Sequence, residues 1–230
     1  MKIYGLQKMT LLDFPGRVAC TIFLGGCDFR CPFCHNYELI DGTAEPELDE
    51  DALIAFLESR KALIDGVAIT GGEPLLSRDL PRLMARIRET GYGVKLDTNG
   101  YHPAELKEVL DMRLADYVAM DIKNSPDKYA LTCGVKNVDM SRIEKSISIL
   151  MNGDTDYEFR TTVVQELHTD GDIAAAAKMI EGAKRYFLQR FTDRDTVPFS
   201  GLSAPSYDDM KKYADIARAY VADTQLRGVD

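Results

Sequence analysis

The chain has 230 residues, of which 45% are hydrophobic and 28% charged, and this balance describes a folded globular protein rather than a disordered or fibrous one. Asp and Glu outnumber Lys and Arg by 37 to 28, so the net charge of -9 opposes binding to nucleic acid. No apolar run approaches the roughly 20 residues of a membrane helix, and no signal-peptide pattern is present. We therefore expect a single cytoplasmic domain over residues 1–230, with neither nucleic acid nor membrane as a partner.

Short β-branched or apolar runs alternate along the chain with longer segments of helical period. This alternation is typical of repeated β-α units around a parallel sheet. Six strands are predicted: Val18–Leu24, Gly66–Thr70, Gly93–Asp97, Tyr117–Ile122, Tyr157–Val164 and Arg185–Phe191. Six helices are predicted between and after them: Asp49–Leu63, Leu80–Thr90, Pro103–Asp111, Ser141–Met151, Asp172–Ala183 and Ser206–Ala222.

The fold class that follows is α/β, with a parallel sheet, outer helices and six β-α units. Because a closed barrel of this kind needs eight units, six predict a partial barrel. Enzymes built this way carry their working groups in loops at the carboxyl ends of the strands. The irregular segment 192–205 is predicted to be a loop near such a site.

Three cysteines, Cys27, Cys31 and Cys34, follow the first predicted strand within eight residues. With five cysteines in the chain and three of them crowded together, a disulfide framework is a poor explanation. Structural zinc is an alternative, but such sites are closed by four ligands, and no second CxxC or HxxxH pair occurs. Three thiolates suit an iron–sulfur cluster that keeps one iron open to another ligand.

The CxxxCxxC spacing, with the aromatic Phe33 before the last cysteine, resembles the radical S-adenosylmethionine superfamily. That resemblance implies a [4Fe–4S] cluster on the three cysteines and S-adenosylmethionine on its open iron. The implied chemistry is reductive cleavage of the sulfonium to methionine and a 5′-deoxyadenosyl radical. It also implies that Phe33, Cys34 and His35 lie against the adenine and ribose of the cofactor.

The second predicted strand ends in Gly71, Gly72 and Glu73. Paired glycines let a backbone approach a ligand closely, although Gly-Gly-Glu-Pro by itself is also an ordinary turn. In this order after the cysteine loop, the motif resembles the one with which the superfamily binds the amino group of the cofactor.

Polar and charged residues lie at the ends of the third and fourth predicted strands: Asp97 and Thr98 at one, Asp121 and Lys123 at the other. Taken singly, they are compatible with turn residues and solvated charges. Together they resemble the activating enzymes of glycyl radical enzymes. The resemblance implies that they contact the cofactor and that the two aspartates hold a monovalent cation near its carboxylate.

Later strands supply two further candidates for cofactor binding. Arg160 interrupts an apolar strand and suits bidentate contact with a carboxylate or ribose, while an exposed position fits the pattern equally well. Gln189 ends the sixth strand and is a candidate for contact with adenine.

The two remaining cysteines and two of the histidines are not expected to take part in the chemistry unless Cys133 reaches the cluster. Cys20 is expected to be an inert thiol in a buried strand, and Cys133 to be a fourth ligand only if its loop reaches the cluster. His102 and His168, near predicted helix starts, are expected at the surface.

Likeness along nearly the whole chain includes residues 12–16, residues 21–27 and residues 226–228, and is greatest to the activating proteins of anaerobic ribonucleoside-triphosphate reductase. It implies abstraction of a hydrogen from a glycine of that partner, with no catalytic residue beyond the cluster ligands, and an electron donor such as flavodoxin or ferredoxin. The alternatives are activation of another glycyl radical enzyme, a small-molecule radical enzyme resembling 7-carboxy-7-deazaguanine synthase, and a noncatalytic metal-binding adaptor.

Overall fold

The computed structural model describes residues 1–229 as two compact α/β units. The first contains Met1–Asp28, Glu38–Thr98 and His102–Val118. The second contains Phe29–Tyr37, Asn99–Tyr101 and the chain from Ala119 onward. Over residues 1–229, no helix combines the length and apolar composition needed to cross a membrane.

Ten strands are present in the described residues: β1 (Lys2–Ile3), β2 (Gly5–Thr10), β3 (Ala19–Leu24), β4 (Leu48–Asp49), β5 (Gly66–Gly71), β6 (Gly93–Thr98), β7 (Tyr117–Asp121), β8 (Asp156–Val163), β9 (Tyr186–Arg190) and β10 (Thr224–Arg227). The α-helices are α1 (Glu38–Asp41), α2 (Glu50–Ser59), α3 (Leu80–Glu89), α4 (Pro103–Asp111), α5 (Tyr129–Thr132), α6 (Met140–Asn152), α7 (Asp170–Met179) and α8 (Tyr207–Arg218). Two short 3₁₀ helices, Pro74–Leu76 and Pro126–Lys128, complete the regular structure.

The sheet of the first unit has the strand order β6-β5-β3-β2. The pairs β3–β5 and β5–β6 are parallel, while β2 runs antiparallel along β3. β3 is buried along nearly its whole length, as a parallel strand covered on both faces should be. Its carboxyl end leads directly into the cysteine loop.

The second unit contains the strand order β10-β9-β8, and both of these pairs are parallel. β7 begins in the first unit and ends in the second. α7 and α8 pack against each other, and α8 also packs on β9 and β10.

The predicted α/β class, with a mostly parallel sheet and surrounding helices, is confirmed. All six predicted strands and all six predicted helices are present, with ends shifted by a few residues. Asp49, the first residue of the predicted helix range Asp49–Leu63, caps α2: its carboxylate accepts from the Ala52 amide at 2.9 Å. Residues 192–205 form no helix or strand, as predicted.

Several short elements were not predicted, and the sheet is not wholly parallel. β1 and β4 have two residues each, too few to carry a period. β2 is exposed at Gln7, Lys8 and Met9, so it lacks the alternation of a half-buried strand. The short strand β10, with the sequence TQLR, likewise has no apolar run that would predict a strand.

Glu158 provides a test of the second unit's stability. This side chain is 1% exposed and accepts two hydrogen bonds from Arg227, at 2.7 and 2.9 Å. Glu158→Gln leaves the guanidinium without its bidentate partner and is expected to lower the free energy of unfolding by about 2 kcal/mol. Denaturant unfolding measures this loss. The exposed pair of Arg218 with Asp215 is the control, and Asp215→Asn should change stability much less.

Candidate active site

The entrance to the cysteine loop is fixed by close backbone contact with the end of β5. The Gly72 amide donates to the Leu24 carbonyl at 2.9 Å, and the Glu73 amide donates to the Gly26 carbonyl at 2.8 Å. A Cβ built on Gly72 would lie 2.0 Å from the Gly26 oxygen and 3.3 Å from Cβ of Cys27. Glycine is therefore required at residue 72 by the space available.

Gly71 meets two constraints at once. Its φ of +127° is one that side-chain-bearing residues rarely adopt, and an added Cβ would lie 2.2 Å from the Leu24 oxygen. The predicted glycine pair therefore packs the end of β5 against the backbone that leads to Cys27.

Glu73 is buried and fixed by local hydrogen bonds. Its Oε1 accepts from the Leu75 amide at 3.1 Å, capping the 3₁₀ helix, and from Oγ1 of Thr98 at 2.8 Å. The side chain is 1% exposed. The structure thus brings Glu73 and Thr98, predicted from separate motifs, into direct contact within the first unit.

Asp97 lies near the carboxyl end of β6 and is paired with a lysine of the same strand. The Lys95 ammonium donates to Asp97 Oδ1, and both side chains lie on one face of β6. Lys95 lies two residues before Asp97, but the sequence alone did not indicate that its side chain contacts Asp97.

Asp28, inside the cysteine loop, is hydrogen-bonded to a histidine that is distant in the sequence. His102 Nε2 lies 2.8 Å from Asp28 Oδ2, and this hydrogen bond raises the pKa of the imidazole against the opposing effect of burial. The expectation that His102 is simply a surface residue is wrong. The sequence separation of 74 explains why no local pattern indicated the contact.

In the second unit the cysteine loop continues through Cys31 and Cys34. The Cys34 amide donates to the Cys31 carbonyl at 3.1 Å, and Phe33 between them is buried. His35 Nε2 lies 2.7 Å from the Thr192 carbonyl oxygen, and its ring stacks on Phe191 with centroids 5.8 Å apart. The carboxyl end of β9 therefore orients His35.

Asp121 is the centre of a charged cluster at the end of β7. Lys123 Nζ donates to its Oδ2 at 2.8 Å, and Arg160 Nε donates to Oδ1 at 3.0 Å. Burial works to raise the pKa of Asp121, but the charges and hydrogen bonds of Lys123 and Arg160 outweigh it and lower that pKa to about 2. The same ion pair outweighs desolvation and raises the pKa of Lys123. Arg160 is mostly buried rather than an exposed strand arginine.

Cys133 lies against the cysteine loop. The Arg30 amide donates to its carbonyl at 2.8 Å, and the thiol is hydrogen-bonded to Cys31. That hydrogen bond lowers the pKa of Cys31 in spite of burial, whereas burial raises the pKa of Cys34. The loop of Cys133 therefore reaches a proposed ligand, a contact that the sequence left open.

Gln189 and His168 complete the second unit's candidates. The β8–β9 register pairs Thr162 with Gln189, so Gln189 lies on the same face of the sheet as Arg160. The expectation that His168 is at the surface is wrong, because it is buried, with Nε2 3.0 Å from the Lys123 carbonyl. Cys20 is fully buried in β3, as expected, and burial raises its thiol pKa to about 12.

The donor chemistry of the cysteine loop fits an iron–sulfur cluster. All five cysteines are free thiols, and Cys27 and Cys34 are only partly buried. Thiolates are the ligands that such clusters use, and the lowered pKa of Cys31 favours that form. Within residues 1–229, no three His, Cys, Asp or Glu side chains are already arranged as a metal site.

Comparison with known proteins agrees with this chemistry. Residues 21–180 match the radical SAM superfamily. A candidate glycyl-radical enzyme activating enzyme of Methanocaldococcus jannaschii is 31% identical, covering 99% of this chain and 96% of that protein. The pyruvate formate-lyase-activating enzyme of Clostridium pasteurianum is 32% identical over 55% of this chain and 54% of its own length.

Among solved structures, Streptococcus suis SuiB bound to S-adenosylmethionine has a TM-score of 0.68 at 14% identity. The match covers 90% of this chain and 52% of SuiB, so the chain spans about half the length of that protein. At this identity the likeness shows the fold.

The chain belongs to the radical SAM superfamily, whose cofactors are a [4Fe–4S] cluster and S-adenosylmethionine. Within the superfamily it is an enzyme of the glycyl-radical enzyme activating type.

Gly72→Ala tests the close approach at the loop entrance. The added methyl group would displace the Gly26 carbonyl, and we expect a loss of about 3 kcal/mol in the free energy of unfolding together with poor cluster assembly. Denaturant unfolding and iron analysis measure the two effects. Gly171, in the first turn of α7, is the matched control. An added Cβ would lie in ordinary van der Waals contact with Oγ1 of Thr169 at 3.9 Å, so Gly171→Ala should be neutral or slightly stabilising.

The Asp121 cluster predicts a pH dependence. Because the folded pKa of about 2 lies below the ordinary value of 3.8, the stabilisation is complete above about pH 5 and is lost as pH falls toward 2. Asp121→Asn should therefore cost about 2 kcal/mol at pH 6, with the difference from wild type vanishing near pH 2. Denaturant unfolding across this range checks it. A difference independent of pH would contradict the assigned cause.

Proposed function

We propose that this enzyme activates anaerobic ribonucleoside-triphosphate reductase by removing a hydrogen atom from a glycine of that protein. The main support is the match to a candidate activating enzyme over 99% of the chain, combined with the CxxxCxxC loop. A glycyl radical enzyme as partner follows from this class of relative. The choice of the reductase is supported by the sequence likeness at residues 12–16 and 226–228.

Cys27, Cys31 and Cys34 would hold the cluster. When bound, the cluster and S-adenosylmethionine supply one-electron cleavage of a sulfonium, giving methionine and a 5′-deoxyadenosyl radical that takes the glycine hydrogen. An external donor such as flavodoxin or ferredoxin would provide the electron. The chain's own residues need no general base, because the hydrogen leaves as an atom, and their task is positioning and exclusion of water.

Cofactor binding is assigned to the residues that surround the strand ends. Glu73, fixed by Leu75 and Thr98, would accept from the amino group. His35, held by stacking on Phe191, would orient the ribose and adenine. The full proposed set is Phe33, Cys34, His35, Gly71, Gly72, Glu73, Asp97, Thr98, Asp121, Lys123, Arg160 and Gln189. The proposal takes residues 1–230 as one functional radical SAM domain.

Cys31→Ala tests the ligand assignment. Removal of this thiol is expected to abolish cluster content and 5′-deoxyadenosine formation together, because two thiolates cannot hold the cluster securely. Iron and sulfide analysis and chromatography of the products measure both losses. Cys20→Ala, which removes a buried thiol of β3, is the control and should retain both. Retained cleavage in Cys31→Ala would contradict the assignment.

Electron paramagnetic resonance tests the partner. Reduced, reconstituted protein with S-adenosylmethionine and the reductase is expected to give a glycyl radical doublet, whereas a pyruvate formate-lyase should give none. A doublet with only the second enzyme would overturn the choice of partner. Bound zinc without cofactor cleavage would instead overturn the enzymatic proposal and favour a metal-binding adaptor.

A further inference from the structure

Lys95 is a buried cation whose position is determined by β6. Its side chain is 2% exposed, and its ammonium donates to Asp97 on the same strand. A buried charge is costly unless it is paired, so the carboxylate accounts for the tolerance of this lysine inside the first unit. The residues are two apart on a strand and therefore lie on one face.

The neighbouring strands leave space for the lysine stem. In register, Ala68 of β5 lies beside Lys95, and Thr21 of β3 lies beside Ala68. Both neighbours are small. The four-carbon stem can therefore lie over the sheet while the ammonium meets Asp97 near the carboxyl end of β6.

The Lys95–Asp97 pair places the positive charge of a side chain where the resemblance to activating enzymes implies a bound monovalent cation. Asp97 is one of the two aspartates expected to hold a monovalent cation, yet the Lys95 ammonium already contacts its carboxylate. A metal cation on the same carboxylate would stand close to that ammonium, and like charges repel strongly in a poorly solvated site. Asp97 therefore does not fit a monovalent cation site.

We infer that Lys95 supplies from the chain itself the positive charge that a bound monovalent cation would supply, so that S-adenosylmethionine binding is independent of Na⁺ and K⁺. The inference rests on the proposed function, in which Asp97 belongs to the cofactor site. With its side chain 2% exposed, Lys95 would act through its charge beside Asp97 rather than through direct contact with the ligand.

The test measures S-adenosylmethionine affinity of the reconstituted protein in chloride buffers of K⁺, Na⁺ or choline at equal ionic strength. Wild type should bind equally in all three. Lys95→Met keeps the stem and removes the charge, and affinity in choline is expected to fall about tenfold. Lys95→Ala also opens space, and K⁺ should restore part of its affinity. Lys107→Met, on an exposed pair with Asp111, is the matched control and should match wild type.

A second readout uses Rb⁺, which anomalous scattering can locate in crystals of the wild-type protein. We expect no Rb⁺ site at Asp97 in wild type and one in Lys95→Ala. Wild-type affinity that needs K⁺, Rb⁺ bound at Asp97 in wild type, or unchanged affinity of Lys95→Met in choline would each overturn the inference. If Lys95→Met does not fold, the wild-type affinities in the three buffers and the search for Rb⁺ in wild-type crystals still test the inference. Failure of wild type to bind S-adenosylmethionine at all would refute the proposed function instead.

Discussion

The close approach of Gly72 to the Gly26 carbonyl is the constraint on which the first unit's site depends. It allows two backbone hydrogen bonds to join the end of β5 to the residues just before Cys27. The same turn places Glu73 so that its carboxylate caps the following 3₁₀ helix and accepts from Thr98. The glycine pair Gly71 and Gly72 thus determines the positions of the backbone leading to Cys27 and of the buried Glu73 carboxylate.

Charge pairing within each unit follows a common principle. Asp97 is matched by Lys95, and Asp121 by Lys123 and Arg160, so each carboxylate at a strand end has a cation from its own chain. Buried or partly buried carboxylates stay ionised only when such partners outweigh desolvation. At Asp121 these partners lower the carboxyl pKa to about 2, so this cluster is charged before any ligand binds.

Much of this arrangement could be predicted, because it depends on local patterns. The strands β3, β5, β6, β7, β8 and β9 contain short β-branched or apolar runs, and the three cysteines and the Gly-Gly-Glu motif each lie within one short segment of the sequence. Contacts between distant segments could not be predicted: His102 with Asp28, Cys133 with Cys31, and the burial of His168 depend on packing. The burial of Lys95 could not be predicted either, because a lysine in a strand is usually solvated and its burial depends on the packing around β6.

Deuterium transfer tests the central claim most directly. A reductase labelled with deuterium at the α-carbon of its glycines would be incubated with the reduced, reconstituted enzyme and unlabelled S-adenosylmethionine. Mass spectrometry would then be used to examine the 5′-deoxyadenosine formed. Removal of a glycine hydrogen by this enzyme predicts one deuterium in the product for each glycyl radical generated. Unlabelled 5′-deoxyadenosine accompanying a full yield of glycyl radical would contradict the account.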